Sequence, residues 1–224
     1  MPERSAELME KAAKLSESID VERAYQLYLN VISIYETENK NRFALQTFKN
    51  ATSFLAEKKR YTEAIQLLHR LASLCSKINN HVEVGRCFLA TIILLLAFGD
   101  EVEATKQFDV FAAEDPLFTR SDEYNASHQL LEAYKSYDQN LLNSAIKNRS
   151  LNDLHSSFRR VAYSLLVPGA NSATSANPVS VTPGTTGPAT AISGSPGGMD
   201  HHPDSSHATA HVPNLNIDND DDLL

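Results

Sequence analysis

The sequence predicts an all-α fold, in which a solenoid of helical hairpins is capped by a C-terminal helical bundle and followed by a disordered tail. Three observations support it. Apolar residues recur at helical spacing, the pattern repeats about every 40 residues, and Pro, Gly, Ser and Thr replace the large apolar residues after residue 169. We therefore expect a repeat solenoid over 1–115, a C-terminal bundle over 116–169 and a disordered acidic tail over 170–224.

The repeat is marked by Ala24, Ala64 and Ala104, which are 40 residues apart and each begin a series of apolar residues at i, i+3/i+4, i+7 spacing. A second series of helices alternates with the first, and short breaks rich in turn residues separate them. Short links make neighbouring helices antiparallel, and the small alanine lets the two helices of a hairpin approach closely. Because one hairpin cannot bury its apolar stripe alone, hairpins of this tetratricopeptide-like kind must stack.

The second series consists of equivalent positions in two consecutive repeats. It comprises Ala44, Phe48, Ala51 and Leu55, then Val84, Phe88, Thr91 and Leu95. The run from Phe88 to Phe98 is apolar for 11 residues, whereas a membrane-spanning helix needs about 20. We expect it to be a buried helix of the solenoid.

After Asp115-Pro116 the 40-residue period fails, although helical spacing continues. Tyr124 to Tyr134 and Leu141 to Ile146 each place apolar residues on one helical face, and Leu154 to Leu165 form a final helix. Pro168-Gly169 ends the ordered part. These helices are expected to form the bundle that caps the solenoid.

The charge distribution argues against nucleic-acid binding. Of the net charge of −8, the tail carries −6, because six Asp and no Lys or Arg follow residue 169. The remaining 22 acidic and 20 basic residues nearly balance, so the helical part has no overall field that attracts nucleic acid. Two cysteines, Cys75 and Cys87, and no apolar leader favour a reduced, cytoplasmic protein with buried thiols.

No motif for catalysis occurs in the sequence. It has no glycine-rich phosphate loop, no His-Glu-x-x-His and no nucleophile elbow. Four histidines in the tail (His201, His202, His207, His211) have no rigid element that would hold a metal ion. We predict a protein that is not an enzyme, needs no cofactor and takes no small-molecule substrate.

Two constellations remain as candidate partner-binding sites. Lys58, Lys59 and Arg60 form a basic turn between two helices, which either is merely solvated or docks an acidic helical partner. At the other end of the chain, Asp220, Asp221 and Asp222 precede Leu223 and Leu224. These terminal residues either pair with a basic surface and fill a small apolar pocket on a partner, or form a solubilising acidic terminus.

Four segments resemble the soluble NSF attachment proteins, and the gamma branch matches best. They are Asp-Val-Glu-Arg-Ala-Tyr-Gln-Leu-Tyr (20–28), Tyr-Thr-Glu-Ala-Ile-Gln-Leu-Leu (61–68), Leu-Leu-Glu-Ala-Tyr (130–134) and Tyr-Ser-Leu-Leu-Val-Pro-Gly (163–169). The resemblance covers about residues 5 to 169, in order and with few gaps. It implies an adaptor that binds the four-helix SNARE complex and recruits the hexameric ATPase N-ethylmaleimide-sensitive factor for disassembly in vesicle trafficking.

The resemblance also implies roles for the two constellations. Family members use basic positions on the solenoid against the acidic SNARE surface, which corresponds to Lys58, Lys59 and Arg60. They use an acidic C-terminal region with a near-terminal leucine against the ATPase, which corresponds to residues 220–224. Such an adaptor is cytoplasmic and associates peripherally with endomembranes through SNAREs.

The sequence departs from the family in two ways. Members carry several more helices ahead of this segment, so we expect an N-terminally shortened chain, and a long tether precedes the acidic end. A scaffold that binds other trafficking or cytoskeletal proteins without coupling to the ATPase is therefore the alternative.

Overall fold

The computed structural model describes residues 2–169, which fold into α-helices joined by short turns. The described part contains ten α-helices, and a short 3₁₀ helix at Phe118–Arg120 lies between α6 and α7. The helices are α1 (Pro2–Ser16), α2 (Val21–Thr37), α3 (Asn41–Glu57), α4 (Tyr61–Lys77), α5 (His81–Phe98), α6 (Glu101–Glu114), α7 (Asp122–Lys135), α8 (Gln139–Ala145), α9 (Arg149–Asn152) and α10 (Ser156–Tyr163). The predicted disordered tail and its acidic end lie outside the described residues.

Helices α1 to α6 pack consecutively, each against the next along the chain. The recurring alanines Ala24, Ala64 and Ala104 are all fully buried, and so are the second-series residues Ala44 and Phe48. The predicted all-α fold of stacked helical hairpins is confirmed. Because these alanines are fully buried between packed helices, a larger side chain at any of them should destabilise the fold.

The four turns that follow α2, α3, α4 and α5 recur every 20 residues. Asn39, Lys59, Asn79 and Gly99 have φ angles of 54°, 59°, 57° and 90°, so each of these four turns contains one residue in the left-handed region. Such a residue at the end of a helix lets the backbone N–H groups that follow bond back to the helix's last carbonyls, for example from Arg60 to Leu55. Asn and Gly adopt this conformation readily, whereas Lys does not.

Side-chain caps fix where several helices begin. Asp20, Asn80, Asp100, Ser121 and Asp138 each accept a hydrogen bond from a backbone N–H in the first turn of the helix that follows. These caps satisfy donors that the helix itself leaves free. Arg60 and Lys40, which directly precede α4 and α3, make no such capping hydrogen bond with their side chains. The basic turn ahead of α4 is therefore held by other contacts.

Helix α5 is the central helix of the described chain. It contacts α4, α6, α7 and α10, and its residues from Cys87 to Leu96 are all buried. By length and composition α5 could cross a membrane, but 67% of it is buried within the protein. The predicted buried helix is therefore confirmed, and its all-round apolar surface reflects its neighbours on every side.

The C-terminal helices pack back on the hairpins. Helix α7 contacts α5, and α10 contacts both α3 and α5, with Phe158, Val161 and Ala162 buried. The described residues, 2–169, all belong to one compact unit. The domain boundary at residue 115, one residue after α6 ends, stays a prediction. The return of α10 to α3 matters for the site, because it meets α3 beside the basic turn.

Candidate functional site

The basic turn connects α3 to α4. Lys58 caps the end of α3 with φ −83°, Lys59 follows in the left-handed region, and Arg60 is the residue before the first turn of α4. The side chains of Lys58 and Lys59 are exposed, and Arg60 is partly buried. The structure thus brings all three predicted residues to one turn but gives them different surroundings.

Arg60 is engaged within the protein. Its Nη1 donates to Glu22 of α2 at 2.7 Å, and its Nη2 and Nε donate to the Glu63 carboxylate at 2.6 and 3.0 Å. Its guanidinium also lies over the Tyr25 ring, 5.1 Å from the centroid. The hydrogen bond from Arg60 lowers the pKa of Glu63. Arg60 therefore ties α4 to α2, and a partner would have to displace two carboxylates to use its charge.

Lys58 and Lys59 have no carboxylate partner within 4.0 Å among residues 2–169. The adjacent Glu57 does not compensate them, because it accepts hydrogen bonds from Ser157 and Arg160 of α10. Lys58 Nζ lies 5.9 Å from the centre of the Phe54 ring, a contact that leaves its charge available to a partner. Within residues 2–169, the turn therefore presents two adjacent positive charges that no carboxylate compensates.

The second candidate site, Asp220, Asp221, Asp222, Leu223 and Leu224, lies outside the described residues. Its role against an ATPase stays a prediction.

The cysteines are buried thiols, as predicted, with Cys75 on α4 and Cys87 on α5. Burial raises the pKa of Cys75 to about 11 and also raises that of Cys87 well above its ordinary value. Since the thiolate is the nucleophile and the metal ligand, neither cysteine is prepared for such chemistry.

Sequence analysis missed a second charged cluster, on the face that α10 covers. Lys49 Nζ of α3 lies 2.9 Å from Glu83 Oε2 of α5, and Arg86 Nη1 lies 3.7 Å from the same oxygen. The spacing of Glu83 and Arg86 indicates a pair on one helix. Lys49 lies 34 positions before Glu83 in the sequence, so the contact between them depends on how the helices stack. No local sequence pattern indicates it.

The stacked helical hairpins place this chain in the class of helical-repeat proteins. Proteins of this class commonly use the extended surface of the stacked repeats for binding. The chain belongs to the soluble NSF attachment protein (SNAP) family, whose model matches residues 1–150.

Curated relatives agree with this assignment and with the gamma-type resemblance. A gamma-soluble NSF attachment protein of Dictyostelium discoideum is 27% identical over 73% of this chain and 50% of its own length. One from Arabidopsis thaliana is 25% identical over 60% of this chain and 46% of its length. The vesicular-fusion protein SEC17 of Coprinopsis cinerea is 28% identical over 59% of this chain and 46% of its length. The chain therefore spans about half the length of these relatives.

Proposed function

We propose that this chain is an adaptor that binds SNARE complexes and recruits the ATPase N-ethylmaleimide-sensitive factor for their disassembly in vesicle trafficking and membrane fusion. It performs no catalysis itself, and it associates with endomembranes peripherally, through the SNAREs. The observation that carries the proposal is a pair of exposed lysines on a hairpin turn, without a carboxylate partner among residues 2–169, in a member of the attachment protein family.

The surroundings of Lys58 and Lys59 support a binding role for this turn. Two adjacent positive charges attract an acidic helical surface and raise the rate at which it associates. The preceding residue, Glu57, is already bonded to Ser157 and Arg160. Within residues 2–169 the lysines are therefore left to pair with a partner's acids, whereas Arg60 acts mainly as an internal tie.

The backbone at Lys59 supports the same role. The equivalent turns have Asn39, Asn79 or Gly99 in the left-handed position, and Lys59 is the residue least suited to it. A strained residue that persists where better-suited residues are available is a common mark of function. Retaining lysine there is explained if its charge is needed for binding.

Co-sedimentation tests the proposal directly. The chain is mixed with a purified SNARE complex and the ATPase, and a full-length attachment protein serves as the positive control. We expect a ternary assembly that contains the chain. If the full-length protein assembles and this chain does not, the proposal fails.

The tail end is tested by deleting residues 218–224. If Asp220, Asp221, Asp222, Leu223 and Leu224 contact the ATPase, the deletion abolishes ATPase stimulation and leaves SNARE binding intact. If the chain is instead a scaffold without ATPase coupling, stimulation is absent before the deletion as well as after it. The two functions are thereby distinguished in one assay.

A further inference from the structure

A cavity of about 250 Å³ lies where the segment around α10 packs against α3, α4 and α5. Apolar atoms form most of its lining surface, with contributions from Leu68, Leu71, Cys87, Leu154 and Phe158. The charged cluster of Lys49, Glu83 and Arg86 also lines it. The cavity thus combines an apolar body with a charged wall, which is the usual composition of a small-molecule site.

The charges of this wall are unevenly paired. Lys49 and Arg86 share a single carboxylate, that of Glu83, and Lys49 holds the shorter contact at 2.9 Å. Glu83 is 9% exposed, whereas the side chains of Lys49 and Arg86 remain 36% and 33% exposed. Asp153 balances the formal charge of the lining, but it is exposed and forms no ion pair with either cation in the described part of the chain. The two cations therefore share one buried carboxylate and remain accessible to an anion.

Arg86 is the least satisfied member of the cluster. Its nearest approach to Glu83, 3.7 Å, is too long for a hydrogen bond, and its buried Nε has no partner within residues 2–169. A guanidinium presents five donors in a planar fork that matches a carboxylate or phosphate oxygen pair. A buried donor without a partner is unfavourable, so an anion beside Arg86 would be bound with little competition.

We propose that this cavity binds a small amphipathic carboxylate, whose acid group pairs with Arg86 and Lys49 and whose apolar chain packs against Leu71 and Phe158. A cavity of about 150 Å³ can hold benzene, and drug-sized ligands occupy about 300–1,000 Å³. The volume of this cavity, about 250 Å³, lies between these two ligand sizes and suits a short aliphatic chain. A ligand here would contact α3, α5 and the start of α10 together, and so hold the C-terminal segment against the hairpins.

Calorimetry with sodium octanoate tests the proposal on the full chain. 1-Octanol serves as the matched ligand without charge, and acetate as the matched charge without an apolar chain. We expect saturable binding of octanoate that is at least about tenfold tighter than binding of either control, since a hydrogen bond to a charged group contributes about that factor.

Three variants locate the site. Arg86→Gln should weaken octanoate binding about tenfold or more, whereas Arg23→Gln, at an exposed arginine of α2 outside the cavity, should leave it unchanged. Lys49→Gln, which removes the other cation that would pair with the acid group, should also weaken octanoate binding. This second cavity variant keeps the proposal testable if Arg86→Gln fails to fold.

Several results would overturn the proposal. They are the absence of saturable octanoate binding, equal affinities for octanoate and 1-octanol, equal effects of the two arginine variants, and unchanged octanoate binding in Lys49→Gln.

Discussion

Replacing Lys59 by Asn should raise stability while it lowers partner binding. The left-handed conformation costs an ordinary L-residue roughly 1–2 kcal/mol, and Asn adopts it readily. Lys59, at φ 59°, bears this cost, whereas Asn39 and Asn79 hold the equivalent positions in the preceding and following turns. Loss of a lysine from the C-terminal end of α3 removes a favourable interaction with the helix dipole, worth about 0.3–1 kcal/mol. The net gain is then about 0.5–1 kcal/mol.

The matched control is Lys58→Asn, which removes the same charge from the adjacent residue. Lys58 has φ −83°, so this variant relieves no strain, and it loses both the dipole interaction and the contact of Nζ with the Phe54 ring. The two variants should therefore differ by at least about 1 kcal/mol in the free energy of unfolding, or at least roughly 2–4 °C in melting temperature for a domain of this size. Both should weaken binding to an acidic SNARE complex.

Thermal unfolding followed by circular dichroism, together with a binding titration, checks both effects. The reasoning is refuted if Lys59→Asn melts at or below the temperature of Lys58→Asn. Unchanged binding in both variants would reject the basic turn as a partner site, whatever their stability.

Three further predictions concern the fold around the site. Arg60→Gln should lower the free energy of unfolding by about 1–2 kcal/mol, from the loss of the Glu63 and aromatic contacts. Because Arg60 lowers the pKa of Glu63, the pair stabilises the fold fully at pH values above the ordinary carboxyl pKa. This stabilisation is lost as the pH falls through the lowered pKa of Glu63. Urea midpoints should thus fall less between pH 5 and pH 3 (roughly the carboxyl titration range) in Arg60→Gln than in the natural sequence. Ala104→Leu should cost about 1–3 kcal/mol, because Ala104 is fully buried, whereas Ala113→Leu on the exposed side of α6 should cost little; equal urea midpoints would contradict this. Finally, Cys75, with a pKa of about 11, should react with Ellman's reagent at pH 8 only after urea is added, and rapid reaction of the native protein would contradict its burial.

Local sequence determined most of the fold. The spacing of Ala24, Ala64 and Ala104 predicted the hairpins, because a buried small residue must recur wherever two helices approach closely. The turn residues were also identified, since Asn and Gly between apolar series mark breaks. The sequence also contains a turn residue every 20 positions, and each of these adopts the left-handed conformation in the structure. Lys59 stands out as the exception only when it is aligned with Asn39, Asn79 and Gly99.

The side-chain partners could not be predicted in the same way. Arg60 meets Glu22 across 38 positions, and Lys49 meets Glu83 across 34, because stacked helices set which faces oppose each other. No periodicity distinguishes an arginine that binds a neighbouring helix from one that faces solvent. The basic triplet therefore looked uniform in sequence, although the structure gives Arg60 an internal role and leaves Lys58 and Lys59 exposed.

The contact between α10 and the end of α3 decides how truncations of this chain should be interpreted. Ser157 and Arg160 bond to Glu57, the residue before Lys58, across about 100 positions of sequence. The buried Phe158 and Val161 anchor the same helix on α3 and α5. A truncation that removes α10 would therefore free Glu57 to compensate the lysines and would expose apolar surface on two helices. Loss of SNARE binding in such a variant would not implicate the tail, whereas a truncation after residue 169 leaves these contacts intact and tests the tail alone.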